Sequence, residues 1–288
     1  MKSVYWIIPI AIFLSFHLSS CSPQPEVESD VAPKGKLYII GGGKSPPEMV
    51  KQMIYLSGVN PGNYIVVLPM SSYEVDTAAY WAMKQFKDHG VNNITWFNFE
   101  KDGPIEQYQL DSIANAGMVY ISGGDQNRFM DIVAGTPIAE AIHKAFANGA
   151  VIAGTSAGAA VQSKRMITGN QLKTPDMRGY QTIQPNNIET TEGLGLIESA
   201  IIDQHFIWRE RVNRLISVCI ENPEQLAIGI DESTAILVEE NSATVYGTSQ
   251  VLVLNATKAA IATSDSLLGA KNIRMDIYLP GQSFSIAP

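Results

Sequence analysis

Short apolar segments of strand length alternate with longer amphipathic segments over residues 36–153, and this alternation constrains the fold more than any other feature. The longer segments repeat their apolar residues at helical spacing, whereas the short ones are apolar throughout. Strands are predicted over residues 36–40, 64–70, 94–97, 117–121 and 150–153, and helices over residues 47–56, 76–89 and 137–148. Uniformly apolar strands separated by helices predict an α/β fold with a mainly parallel sheet covered by helices on both faces.

Glycines follow several of the predicted strands, at the edge of the sheet where open α/β folds bind their ligands. Two further apolar strands are predicted over residues 194–202 and 226–230, and short strands from Thr244 onward complete the same domain. The polar, irregular residues 164–192 predict an excursion of the chain near the ligand site. The sequence therefore predicts one folded domain over residues 35–288.

The N-terminus has the features of an export signal. Lys2 precedes an apolar run over residues 6–14, which is too short to span a bilayer stably. Leu18-Ser19-Ser20-Cys21 then resembles a bacterial lipoprotein processing site. We predict a signal peptide over residues 1–20, lipidation of Cys21, and a flexible tether rich in proline and acidic residues over residues 21–34.

An uncleaved membrane anchor is the alternative to a lipoprotein signal, and both place the domain outside the cytoplasm. Ser22 after the cysteine favours the outer membrane or cell surface over the inner membrane. With Cys21 lipidated, Cys219 has no disulfide partner, and its apolar surroundings predict a buried core thiol.

Composition narrows the class of function. Hydrophobic residues make up 45% of the chain and charged residues 17%, which suits a packed core rather than a disordered segment. The formal net charge of −8 argues against nucleic-acid binding, which needs clustered Lys and Arg to neutralise phosphates. The sequence has no HExxH motif and no His/Cys cluster, so we predict no metal and no cofactor.

The segment Gly154-Thr155-Ser156-Ala157-Gly158 has the spacing of a nucleophile elbow. In such a strand-to-helix turn, neighbouring backbone comes so close that only small residues fit beside the serine. The turn would expose the Ser156 hydroxyl and point the Ala157 N–H at the oxyanion formed during attack. A purely structural turn rich in small residues is the alternative.

A serine nucleophile needs a base, and the chain after the predicted signal peptide has three histidines. His89 and His143 belong to polar helix faces, whereas His205 follows an apolar strand and is the candidate base. Its orienting carboxylate is Asp231 or Glu232, which follow the next apolar strand, and alternation does not choose between them. The order Ser, His, acid differs from that of α/β-hydrolases, in which the acid precedes the histidine.

Three arginines follow His205 in an otherwise acidic chain. Arg211 and Arg214 are three residues apart and share a helical face, while Arg209 points elsewhere. Guanidinium groups beside a candidate base suggest bidentate binding of substrate carboxylates. The alternative is a solvated helix face that pairs with Glu210.

Five segments taken together resemble cyanophycinases, of the serine peptidase family that also includes dipeptidase E. They are Gly41-Gly42-Gly43, Gly123-Gly124-Asp125-Gln126, Gly154 to Ala160, Asp203-Gln204-His205-Phe206 with the three arginines, and Gly229-Ile230-Asp231-Glu232. The resemblance runs over residues 36–255. It implies a class-I-glutamine-amidotransferase-like (flavodoxin-like) three-layer α/β fold and a Ser-His-Glu triad.

The resemblance also implies a role for each matching residue. Ser156 is the nucleophile, His205 the base and Glu232 the orienting acid, with the N–H groups of Gly124 and Ala157 as the oxyanion hole. The substrate pocket is formed by Gln126, Asp203, Gln204, Arg209, Arg211 and Arg214. The implied substrate is cyanophycin, poly-aspartate with an arginine on each side-chain carboxyl, and the implied product is the β-aspartyl-arginine dipeptide.

The sequence departs from this pattern in two places that concern the substrate. Lys44-Ser45-Pro46 stands where an acidic continuation is expected, and residues 164–192 are longer than the corresponding loop. A related aspartyl or isoaspartyl dipeptidase is therefore one alternative, and a non-catalytic ligand-binding lipoprotein is another. The expected partners are a peptide or polymer rich in β-linked aspartyl residues and the membrane that holds Cys21, and a homodimer stays open.

Overall fold

The computed structural model describes residues 1–2, 35–59, 62–176 and 179–287. The predicted signal peptide from residue 3, the lipidation site Cys21 and the tether over residues 21–34 lie outside these ranges. Within them, no helix has both the length and the apolar character needed to cross a membrane. The residues from 35 onward belong to the compact unit Ala32–Pro288.

Sixteen strands and seven helices are found in the described residues. The strands are β1 (Lys36–Ile40), β2 (Ile65–Leu68), β3 (Ile94–Trp96), β4 (Met118–Ile121), β5 (Val151–Thr155), β6 (Arg165–Gln171), β7 (Ile188–Glu192), β8 (Ala200–Gln204), β9 (Leu226–Ile230), β10 (Thr234–Glu239), β11 (Ser242–Gly247), β12 (Val251–Asn255), β13 (Ala260–Thr263), β14 (Leu268–Lys271), β15 (Arg274–Tyr278) and β16 (Ser283–Ser285). The helices are α1 (Pro47–Ser57), α2 (Val75–Lys87), α3 (Gln107–Ala114), α4 (Gln126–Val133), α5 (Pro137–Ala147), α6 (Ala157–Ala160) and α7 (Val212–Glu221).

The large sheet has the strand order β16-β11-β10-β1-β5-β4-β2-β3. Its five N-terminal strands pair in parallel, and β10, β11 and β16 add an antiparallel extension beside β1. This confirms the predicted α/β fold, with a mostly parallel central sheet flanked by helices.

Both faces of the large sheet are buried, which explains why its strands are apolar throughout. Tyr38 and Ile40 of β1 pack towards α1 and α2, whereas Leu37 and Ile39 pack towards α3, α4 and α5. Consecutive side chains of a strand point to opposite faces, so both must be apolar when helices cover the two sides.

A second sheet has the order β15-β12-β9-β8, with β8 and β9 parallel. Helix α7 packs on it through Leu215 and Cys219, which contact Phe206 after β8. Cys219 is fully buried, as predicted, and burial raises the pKa of its thiol to about 11. Strand β9 continues directly into β10, so residues 231–233 connect the second sheet to the large one.

Three local predictions differ from the structure. Helices α3 and α4 are absent from the prediction because each is only eight residues long, too short for a helical period to repeat clearly. The strand predicted over residues 194–202 begins only at Ala200, because Leu194 and Leu196 bond instead to backbone carbonyls at the end of α6. Part of the excursion is regular: β6 and β7 pair as an antiparallel hairpin whose Ile167 and Ile188 are buried.

We predict that Gly41→Ala lowers the free energy of unfolding by at least about 2 kcal/mol, because added atoms in a packed site force backbone shifts. A Cβ at Gly41 would lie 2.2 Å from the carbonyl oxygen of Asp231 and 2.3 Å from that of Ile230. Urea unfolding followed by circular dichroism measures the effect. Gly269→Ala is the matched control, since the nearest atom to its Cβ is 3.5 Å away. Equal stability of the two variants would contradict the prediction.

Candidate active site

Ser156 occupies a sharp turn between β5 and α6. Its backbone is left-handed, with φ 53° and ψ −110°, a conformation that costs a residue other than glycine about 1–3 kcal/mol. A Cβ at Gly154 would lie 2.1 Å from the Gly158 oxygen, and one at Gly158 would lie 2.2 Å from the Ile121 oxygen. The glycine spacing of the elbow is therefore a steric requirement of this turn.

Ser156, His205 and Glu232 form a continuous hydrogen-bonded chain. The Ser156 Oγ lies 2.8 Å from His205 Nε2, and His205 Nδ1 lies 2.6 Å from Glu232 Oε1. The serine ends a strand of the large sheet, whereas the histidine and the glutamate follow β8 and β9 of the second sheet. The structure thus brings together three side chains from separate parts of the sequence.

The triglycine segment, residues 41–43 after β1, provides the surface on which the histidine and glutamate lie. A Cβ at Gly42 would be 2.2 Å from Cε1 of the His205 ring. A Cβ at Gly43 would be 2.9 Å from Cβ of Glu232. Any larger side chain at these two positions would displace the histidine or the glutamate.

Asp231, the other candidate acid, has different partners. Its Oδ1 accepts hydrogen bonds from the N–H groups of Ile207 (3.1 Å) and Trp208 (2.9 Å), and its Oδ2 accepts one from Ser249 Oγ (2.8 Å). Glu232 is therefore the member of the pair that contacts His205, and Asp231 holds the turn that follows the histidine.

The electrostatic surroundings favour a neutral His205 ring. Burial lowers the pKa of His205 most, and the positive charges of Arg209 and Arg211 lower it further. The hydrogen bond and charge of Glu232 act in the opposite direction without reversing the shift. A neutral imidazole whose Nδ1–H donates to Glu232 leaves Nε2 free to accept the Ser156 proton.

The residues predicted for the oxyanion hole are Ala157, which directly follows Ser156, and Gly124, whose neighbour Gly123 packs against the serine. A Cβ at Gly123 would be 3.4 Å from Ser156 Cβ, so the turn over residues 123–124 packs against the serine. Gly124 has φ 144°, and a Cβ there would meet the Ser71 oxygen at 2.1 Å. Ala157 is the first residue of α6, where a backbone N–H has no acceptor within its helix.

Arg214 and Asp203 are buried against each other, in contrast to the predicted substrate-binding roles. Arg214 is 1% exposed and Asp203 is fully buried. Arg214 Nε donates to Asp203 Oδ2 over 2.8 Å, its Nη2 donates to Oδ1, and its Nη1 donates to Tyr180 Oη over 2.6 Å. The Tyr180 ring also lies 4.6 Å from the guanidinium carbon. These contacts occupy the charged groups that were expected to meet a substrate.

The other two arginines are more accessible. Arg209 is exposed, whereas Arg211 is partly buried and its Nη1 donates to the backbone oxygen (2.7 Å) and to Oε1 (3.0 Å) of Gln204. Burial, followed by the charge of Arg214, lowers the pKa of Arg211 to about 10. Of the three predicted arginines, only Arg209 and Arg211 retain exposed surface.

Gln126 is buried, and its amide nitrogen donates to the carbonyls of Ile167 (2.9 Å) and Thr168 (2.7 Å), which ties α4 to the β6–β7 hairpin.

The sequence did not indicate Tyr180 as a partner of Arg214, because Tyr180 lies in the irregular excursion. No group of three or more His, Cys, Asp or Glu suited to a metal ion is found in the described ranges.

We predict that Arg214→Met destabilises the fold by about 3–5 kcal/mol, because it leaves the buried Asp203 carboxylate without its partner. The double variant Arg214→Met with Asp203→Leu should recover most of that loss, since it removes both buried charges. Arg209→Met, which removes an exposed arginine, is the control and should change stability by less than about 0.5 kcal/mol. Chemical unfolding tests all three. A double variant no more stable than Arg214→Met would contradict the assignment.

Comparisons with known proteins identify the family of the chain. A family model described as Peptidase family S51 matches residues 37–246. A protein from Nostoc sp. strain PCC 7120 named cyanophycinase is 30% identical over 275 residues, which cover 91% of this chain and 89% of that protein. A cyanophycinase from Geminocystis herdmanii is 27% identical over 266 residues, covering 88% of this chain and 94% of its own.

A solved structure shares the fold. The crystal structure of a peptidase from an acI-B1 Actinobacterium superposes with a TM-score of 0.62 at 19% identity, over 87% of this chain and 96% of that one. The family match and the 30% identity confirm the resemblance predicted from the five motifs, and they make the protein a serine-type peptidase. The chain belongs to peptidase family S51.

Proposed function

We propose that this chain is an exported, cyanophycinase-like exo-peptidase that releases β-aspartyl-arginine dipeptides from the poly-aspartate backbone of cyanophycin. The observation that carries the proposal is the hydrogen-bonded chain from Ser156 through His205 to Glu232, at 2.8 Å and 2.6 Å. The substrate class is supported by relatives that are named cyanophycinase.

In the first half of the reaction, the Ser156 Oγ attacks a backbone carbonyl carbon of the substrate. His205 Nε2 accepts the hydroxyl proton, and Glu232 stabilises the imidazolium through its bond to Nδ1. The carbonyl oxygen becomes an oxyanion that faces the N–H groups of Gly124 and Ala157. Collapse of the tetrahedral intermediate breaks the C–N bond, and His205 gives its proton to the departing amine.

In the second half, water replaces the amine at the acyl-enzyme. His205 accepts a proton from the water as it attacks the ester carbon, and the same N–H groups stabilise the second oxyanion. The ester bond breaks, Ser156 recovers its proton from His205, and the dipeptide leaves with a new carboxylate.

Arg209 and Arg211 are the arginines that we propose to contact carboxylate or carbonyl oxygens of the substrate. Both lie on the segment after His205. Arg209 is exposed, whereas Arg211 keeps a smaller exposed surface and its Nη1 is bonded to Gln204, so Arg209 offers the more accessible guanidinium. The buried pair of Arg214 and Asp203 instead stabilises this segment by linking α7 to β8.

We further propose that the protein is held at the outer membrane or cell surface by lipid on Cys21. This rests on the N-terminal sequence pattern. An enzyme placed there would act on polymer from the surroundings rather than on an internal store. Mass spectrometry of the membrane-extracted protein tests it, since an N-terminus other than lipidated Cys21 would exclude the lipoprotein.

The proposed activity is tested by incubating the full chain, in mild detergent, with cyanophycin and identifying released peptides by mass spectrometry. Wild type should release β-aspartyl-arginine, and Ser156→Ala should lose at least about 10³-fold in rate because it removes the nucleophile. Equal release by both would exclude the serine mechanism. Release by neither would favour a different aspartyl peptide as the substrate, to be sought among β-aspartyl and α-aspartyl dipeptides.

The pH dependence of kcat/KM should report His205. The reaction needs the neutral ring, so activity falls as the pH drops through the His205 pKa, which lies below the ordinary value for histidine. Arg209→Ala removes a positive charge that disfavours the imidazolium, so the acidic limb should move to higher pH.

Arg209→Lys keeps the charge and should leave the limb in place, as should Arg274→Ala, which removes an exposed arginine outside this site. The shift caused by Arg209→Ala should shrink in high salt, because salt screens exposed charges. An acidic limb that stays at the wild-type pH in Arg209→Ala at low salt would contradict this electrostatic role.

A further inference from the structure

A cleft of about 930 Å³ opens between α1, α2 and the carboxyl ends of β4 and β5. Its size suits a ligand of a few amino-acid residues. The proposed roles of the active-site residues leave this cleft unused, and neither Arg209 nor Arg211 lines it.

Ser156, His205 and Glu232 do not line the cleft, but residues next to them in the sequence or in space do. Thr155, which precedes the nucleophile, lines it, and so does Gly123, whose Cβ would be 3.4 Å from Ser156 Cβ. Gly43 lines it as well, and a Cβ there would be 3.1 Å from Glu232 Oε2. The cleft is therefore adjacent to the catalytic residues, and Arg209, Arg211 and Arg214 do not line it.

The exposed indole of Trp81 forms one wall of the cleft. Trp81 is 61% exposed, which is unusual for so large an apolar side chain. Trp81, Gln85 and Asp88 line the cleft and are spaced four and three residues apart, so they share one face of α2 and its end. The Trp81 ring makes an edge-to-face contact with Tyr80, with the centroids 5.1 Å apart. Its remaining exposed surface lies beside polar groups and suits a planar cation, because an aromatic ring attracts positive charge.

The mouth of the cleft carries an unpaired cation. Lys84 is neutralised by Asp88, with its Nζ 2.7 Å from Oδ1. Lys44 makes no ion pair within the described part of the chain, and its backbone oxygen is fixed by the Ser233 hydroxyl at 2.8 Å. The Lys44 ammonium is thus free to meet an anion at the end of the cleft that borders Glu232.

We propose that this cleft binds an arginyl branch of the substrate, with its guanidinium stacked on Trp81 and its α-carboxylate paired with Lys44. Each branch of a β-aspartyl-arginine polymer carries this combination of a planar cation and a carboxylate. The inference rests on the proposed function and assigns part of the substrate to a cleft that neither Arg209 nor Arg211 lines.

Calorimetric titration of β-aspartyl-arginine into the full-length Ser156→Ala protein in detergent tests the subsite without turnover. In that background, Trp81→Ala should weaken binding about tenfold, because it removes the desolvated stacking surface. Lys44→Ala should weaken binding about threefold at low salt and have little effect at high salt. Tyr55→Ala and Lys51→Ala, exposed residues of α1 that do not line the cleft, are the matched controls and should bind as the background does.

Two altered ligands assign each contact. β-Aspartyl-alanine lacks the guanidinium, so its binding should be insensitive to Trp81→Ala. β-Aspartyl-argininamide lacks the carboxylate, so its binding should be insensitive to Lys44→Ala. Unchanged affinity for β-aspartyl-arginine in both Trp81→Ala and Lys44→Ala, or no binding to the background protein, would overturn the subsite.

The subsite and the proposed function fail in distinguishable ways. If wild type releases the dipeptide from cyanophycin but Trp81→Ala binds it normally, the subsite alone is wrong. If wild type releases nothing while Trp81→Ala and Lys44→Ala weaken binding, the subsite is supported and the polymer assignment is wrong.

Discussion

The active site depends on the close contact between the triglycine segment and the chain that returns from the second sheet. The His205 N–H donates to the Gly41 oxygen (2.7 Å), and the Ser233 N–H donates to the Gly42 oxygen (2.8 Å). These bonds hold His205 and the segment that carries Glu232 against the end of β1, next to β5, which Ser156 follows. Because the backbones approach so closely, a side chain at Gly41 or Gly42 would separate the two halves of the site.

The same site concentrates backbone strain. Ser156, His205 and Ser233 all have left-handed backbone, with φ of 53°, 49° and 54°. Each such residue costs about 1–3 kcal/mol, which the surrounding packing must offset. The packed core supplies that support, because the strands β1, β5 and β9 next to these turns are almost completely buried. Their burial fixes the direction in which the chain enters each turn. Two of these residues, Ser156 and His205, carry the side chains that meet at 2.8 Å.

Charge is arranged in two layers around the base. The inner layer is the buried pair of Arg214 and Asp203, closed by Tyr180, which joins the excursion to the strand that carries His205. The outer layer is Arg209 and Arg211, whose charges add to the lowering of the His205 pKa that burial mainly causes. An acidic protein thus has a locally positive environment around His205. The buried pair of Arg214 and Asp203 stabilises the segment that carries Arg209 and Arg211.

The sequence by itself determined the α/β class, the elbow at Ser156 and the candidate base His205, because apolar runs and glycine spacing record local steric and burial requirements. The family resemblance implied Glu232 as the acid, but the residue pattern alone left Asp231 open. The tertiary structure shows that Glu232 contacts His205, because neighbouring side chains point in different directions and the crossing from β9 to β10 decides which one meets the histidine. The tertiary structure likewise decided how deeply Arg211 and Arg214 are buried. Helical spacing places them on one face, but the packing of α7 on the second sheet decides how deeply each is buried. Burial and long-range pairing are properties of the assembled core, which no local pattern contains.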